Sequence, residues 1–157
     1  MNITKVKIGK AIRVNYEEGI DKKTITSKEV ARPEFYAAFS EIALEIKTIM
    51  AEALGYEGKD CEEYIQRNKL RIEAISFRYD EETGNVESYE VWGDHFIEGT
   101  PWFTDIHLGF QFGNERPDKS ALRILKETEK YVDNKRAQMS LFEAPDELKD
   151  WKVTKVE

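Results

Sequence analysis

The chain of 157 residues holds one cysteine, four prolines, two histidines and no long hydrophobic run, and each scarcity removes a class of protein. A single thiol, Cys61, cannot form an internal disulfide, so a disulfide scaffold is excluded and a reducing cytosol is the compartment that fits. With no His or Lys next to it in sequence to lower its pKa, Cys61 reads as a spectator. No apolar stretch approaches the roughly 20 residues that cross a bilayer, and the N-terminal Met1-Asn2-Ile3-Thr4-Lys5 lacks the apolar core of a secretory signal. A soluble, cytoplasmic protein with no membrane partner is therefore expected. The nine glycines never cluster into a phosphate-binding loop or a dinucleotide fingerprint, and there is no serine nucleophile elbow. Neither enzymatic activity nor a cofactor is expected.

Charge narrows the partners. Acidic residues outnumber basic ones, 31 to 24, for a formal net charge of -7, which disfavours diffuse attraction to a phosphate backbone, so direct non-specific nucleic acid binding is not expected. Imitation of a nucleic acid would need the acids gathered on one face, and here acids and bases are mixed throughout.

What is present reads as an α+β domain. Ile3, Val6 and Ile8, then Ile12, Val14 and Tyr16, then Thr24-Ile25-Thr26 give three short strands joined by polar turns, an antiparallel meander. Pro33 suits a first helical turn, and Phe35, Phe39, Ile42, Ile46, Ile49 and Ala53 recur at spacings of three and four, the buried stripe of a helix ending near Gly55. The polar stretch from Gly55 to Asn68 reads as a connector with a short helical turn from Asp60 onward. Leu70 to Tyr79 is a strong strand whose parity changes at Ala74-Ile75, the mark of a bulge or of a strand buried on both faces. A polar loop around Gly84 returns the chain as Val86 to Trp92, and Trp102 to Phe112 supplies one further strand. Glu115-Arg116-Pro117-Asp118 introduces a second helix carrying Ala121, Leu122, Ile124, Leu125, Tyr131 and Val132, expected to end near Asp133-Asn134.

Asp94, His95, Glu98, Asp105 and His107 are the residues whose types could suggest a divalent metal or acid-base centre, with His95 and His107 the two imidazoles. Their spacing matches no motif with a mechanical reason behind it, so the bland reading, ordinary hydrogen-bonded residues, stands beside the metal reading and no metal is assigned.

The tail carries a sharper signal. Lys135-Arg136-Ala137 leads into Gln138-Met139-Ser140-Leu141-Phe142-Glu143-Ala144-Pro145, where two large apolar residues stand side by side in polar surroundings, and Pro145 disfavours helix at Ala144. Gln138 to Phe142 resembles the pentapeptide, commonly Gln-Leu-Ser/Asp-Leu-Phe, with which bacterial and phage proteins grip the DNA sliding clamp. The resemblance implies that Gln138 hydrogen-bonds in a polar-rimmed pocket of the clamp while Leu141 and Phe142 fill an adjoining apolar one. Ser140 matches, and Met139 departs from the commoner leucine with a side chain flexible enough to occupy a similar groove. The alternative is that Leu141 and Phe142 staple the tail onto their own domain. Tyr131 to Phe142 and Ser27 to Tyr36 are also similar to small proteins of unknown function encoded by tailed bacteriophages, which implies a phage or prophage origin and no particular activity.

These readings predict an antiparallel sheet of about five or six strands with two principal helices over residues 1–134, and an extended tail over 135–157 carrying the clamp-binding-like peptide. Trp151 and Val153 are expected to fold back as a strand or short helix. The leading functional expectation is a non-enzymatic adaptor that binds the sliding clamp through Gln138, Met139, Ser140, Leu141 and Phe142 and so modulates DNA replication. A counter-defence module, whose aromatic-rich 92–112 region captures a host protein or a signalling nucleotide, is the alternative.

Overall fold

A computed structural model describes residues 1–141 and 152–156, with side chains described through Met139. The elements run β1 (Asn2–Ile8), β2 (Ile12–Glu18), β3 (Asp21–Ser27), α1 (Pro33–Ala53), α2 (Gly58–Arg67), β4 (Asn68–Tyr79), β5 (Val86–Ile97), β6 (Phe103–Gln111), α3 (Asp118–Leu141) and β7 (Lys152–Val156). The chain is α+β, as its alternating and helical patterns foretold. All strands join one antiparallel sheet in the order β6-β5-β4-β1-β2-β3-β7.

Two three-stranded meanders build this sheet, β1-β2-β3 and β4-β5-β6, each tightly turned. At the β2–β3 turn Gly19 adopts φ 58°, a left-handed conformation that costs a residue without Cβ little. The meanders meet where Lys5, Val6 and Lys7 of β1 pair with Ser76, Ile75 and Ala74 of β4. The parity change in β4 is a bulge, because the register with β5 shifts between Ile72 and Ala74. Opposite it, Gly93 approaches so closely that a Cβ there would lie 2.0 Å from the Arg71 carbonyl oxygen. A side chain at that position would have to push the two strands apart.

One sheet face carries the core. Ile3, Val6, Val14, Tyr16, Ile25, Ile75, Tyr89 and Val91 are fully buried against Phe35, Ile42 and Ile46 of α1 and Ile124 and Val132 of α3. Ala51, and not the exposed Ala53, closes the α1 stripe. At the start of α3, Asp118 Oδ2 accepts hydrogen bonds from the N–H groups of Gly113 and Glu115 at 2.9 and 3.2 Å, and its Oδ1 accepts one from the Tyr89 hydroxyl at 2.6 Å. These bonds fix the helix to β5.

Three expectations need correction. The connector after Gly55 is a regular helix of ten residues, α2, none of them buried. It lacks an apolar stripe because it lies on the surface, tied to α1 by the Lys47 ammonium donating to the Ile65 carbonyl at 3.2 Å. The second correction concerns α3, which passes through Asp133-Asn134 and continues to Leu141. Asp133 and Asn134 face solvent and do not break it, and the residues that follow, Lys, Arg, Ala, Gln and Met, are good helix formers. Third, the tail expected to be extended over 135–157 begins as helix, while the fold-back expected around Val153 is a strand: Lys152–Val156 pairs antiparallel with β3 from Lys22↔Val156 to Thr26↔Lys152, raising the sheet to seven strands.

Candidate functional site

The clamp-binding-like peptide lies mostly within α3. Gln138 to Leu141 form its last turn, and Phe142 lies outside the described residues. The helical stripe that buries Thr128, Tyr131, Val132 and Lys135 arrives next at Gln138 and Met139, which are half-buried. Just ahead of the peptide two ion pairs hold the helix: Lys135 Nζ with Glu29 in the β3–α1 connection, and Arg136 Nη1 with Glu18 of β2. Lys135 is buried and also sits over the Tyr131 ring, 5.2 Å from its centroid. Burial pushes the Tyr131 phenol above its ordinary pKa. Gln138 Oε1 is buried without a hydrogen-bond partner among the described residues, an arrangement that costs about 1 to 3 kcal/mol unless water reaches it. The anchoring role of Lys135 and Arg136 was not read from the sequence; its one signal is that positions 135, 138 and 139 continue the spacing of Tyr131 and Val132.

Beside this segment a cavity of about 350 Å³ is lined by Glu29, Val30, Phe35, Glu127, Tyr131 and Lys135, among others. A second, of about 420 Å³, opens where β1 stops pairing with β4 and turns back at Gly9. Tyr36, Phe39, Ala43, Leu70 and Ile72 make it mainly apolar. Ser40, Arg71 and Glu73 supply the polar part of its lining.

The sheet face away from the helices is built from strand parity. Across it run His107, Trp92, Ala74, Lys7, Arg13 and Thr26 as successive cross-strand partners. The His107 and Trp92 rings stack with centroids 4.5 Å apart, and the Lys5 ammonium lies 4.6 Å from the Trp92 centroid, a cation-π contact. Arg71 Nη2 donates to Asp94 Oδ2 at 2.6 Å and to Glu73 Oε1 at 2.7 Å. The Arg71 hydrogen bond holds the Asp94 carboxyl below the usual carboxylate range.

This parity separates the metal candidates. His107 shares the open face with Asp94 and Asp105, whereas His95 points to the opposite face, where its Nε2 lies 2.8 Å from Asn68 Oδ1. Glu98 stands beyond the end of β5 near Lys69. Among the described residues no three His, Cys, Asp or Glu side chains come together as a metal-binding group, nor is any described helix long and apolar enough to cross a membrane. The aromatic residues expected to bury something divide: Phe110 packs on Tyr89 at 5.2 Å, while Phe96, Trp102 and Phe103 are exposed at the far end of the β5–β6 hairpin. Comparison with protein-family models, with curated proteins and with solved structures finds no match to this chain.

Proposed function

We propose that this protein is a non-enzymatic adaptor of phage type that binds the bacterial DNA sliding clamp through Gln138 to Phe142 and thereby modulates DNA replication. The observation that carries the reading is the pentapeptide itself, Gln-Met-Ser-Leu-Phe, at the end of the last helix. Its helical placement adds a step: an extended bound form requires the final turn of α3 to unwind. Helix ends open at small free-energy cost, and the Gln138 amide oxygen, without a partner among the described residues, gains a donor if it enters a polar pocket. Burying Leu141 and Phe142 would contribute about 1.5 to 3 kcal/mol each. Subtracting the ordering of the peptide leaves roughly micromolar affinity, suited to a transient tether. The ion pairs of Lys135 and Arg136 lie outside the pentapeptide and keep the domain attached while the turn opens.

The test is binding of the intact protein to purified clamp. Wild type binds and the Leu141→Ala, Phe142→Ala double variant does not; equal binding by both sinks the proposal. A second reading, counter-defence capture of a host protein or signalling nucleotide by the globular domain, draws on the exposed Phe96, Trp102 and Phe103. Its activity would survive the double variant, which is a cleaner probe than truncation after Ala137 because truncation also removes β7 from the sheet.

A further inference from the structure

The two edges of the sheet are built differently. β7, at one edge, is five residues long and carries Lys152 and Lys155, both features that discourage another chain from adding to it. β6, at the other edge, is nine residues long, pairs with β5 in unbroken register from Phe103 to Gln111, and contains neither proline, lysine nor arginine. Asp105 is its one carboxylate. Shortness, a bulge, proline, lysine and an inward charge, the usual protections of a free edge, are missing here.

The free hydrogen-bonding groups follow from alternation. The Phe112 N–H donates to the Glu87 carbonyl of the neighbouring chain segment at 2.9 Å, so the even-numbered residues of this strand address β5. Phe103, Asp105, His107, Gly109 and Gln111 then direct their backbone N–H and C=O groups outward. No described strand receives them.

We propose that β6 is a homodimer interface, pairing antiparallel with β6 of a second copy about a two-fold axis at Ile106. The sequence is self-complementary in this register. Asp105 faces the partner's His107, and His107 the partner's Asp105, opposite in charge when the imidazole is protonated. Phe103 lies across from the partner's Gly109, an aromatic ring covering a residue without a side chain. On the helix-bearing face Ile106 meets its own copy and Thr104 meets the partner's Leu108. The exposed Trp102 reaches the partner's Phe110. About eight backbone hydrogen bonds form, two for each outward-facing pair. A register displaced by two residues, centred on His107, opposes two imidazoles and leaves Asp105 facing glycine. Isologous pairing of this kind closes on itself and does not propagate into fibres.

The experiment is sedimentation of the intact protein over a concentration series, with three variants. Wild type sediments as a dimer that dissociates on dilution. Asp105→Pro removes an outward N–H that β5 does not use, so far-UV circular dichroism is retained and the dimer is lost. Asp105→Lys weakens the dimer by about tenfold or more through two symmetric cross-strand contacts, and adding His107→Glu to it recovers most of that loss. A wild type that stays monomeric at millimolar concentration, or a dimer indifferent to both Asp105→Pro and Asp105→Lys, overturns the proposal.

Discussion

Between Ala121 and Val132, α3 buries Ala121, Ile124, Thr128 and Val132 almost completely, and Asp118 pins its first turn to Tyr89. Its last turn, by contrast, carries Gln138 and Met139 half-buried, with the Gln138 amide oxygen lacking a partner among the described residues. The same helix thus provides a core element and, at Gln138 and Met139, a half-buried end. Burial falls from Ile124 and Val132 to the half-buried Gln138 and Met139, and the ion pairs of Lys135 and Arg136 mark the boundary between the two regimes. A segment on the weak side of that boundary can open without the domain unfolding, which is what a recognition peptide stored in a helix needs.

Substitutions on the two sides should separate stability from binding. The largest effect is expected for Ile124→Ala, whose side chain is fully buried; loss of about 2 to 5 kcal/mol should appear in urea unfolding, with clamp affinity unchanged for the folded fraction. Tyr89→Phe removes the 2.6 Å bond to Asp118, and a loss of about 1.5 to 3 kcal/mol is expected for a hydrogen bond to a carboxylate. Beyond the boundary the sign changes. Gln138→Met should leave stability unchanged or raise it by up to about 1 kcal/mol, since it removes an unsatisfied buried oxygen, while clamp binding weakens by tenfold or so, about one hydrogen bond's worth. A Gln138→Met protein that loses stability would break the comparison.

The smallest effect belongs to the open sheet face, which neither part of α3 touches. Asp94 is held below its ordinary pKa by Arg71, so the stabilisation it provides is present above the unfolded carboxylate range and is lost as pH falls through its depressed value. Asp94→Asn should therefore flatten slightly the decline in melting temperature measured below about pH 4, with no change at pH 7 in clamp affinity. The exposure of its partner Arg71 keeps the effect small.

Much of this architecture was legible in advance. Period-two alternation gave the first strands and β4, the parity change offered the bulge of β4 as one of two readings, the three-four spacing gave α1 and the earlier turns of α3, while β5 runs five residues past its expected end at Trp92. The rest was hidden for physical reasons. α2 buries nothing, so it writes no apolar stripe. The later turns of α3 continue their packed face with Met139 and with Lys135 and Gln138, whose polar ends disguise their packed stems. Pairing of β1 with β4 joins residues far apart in sequence, and neither strand states the other's register. Residue type alone likewise could not tell that His95 and His107 leave opposite faces of the sheet. The pentapeptide was visible because its residues are chemically distinctive, whereas its helical state depends on neighbours that pack against α3.

The most direct measurement is a parallel titration of purified clamp with a synthetic peptide spanning residues 135–145 and with the intact protein. On the adaptor reading the peptide binds at roughly micromolar dissociation constant and the intact protein binds more weakly, by the factor needed to unwind the last turn of α3. A peptide that fails to bind would contradict it.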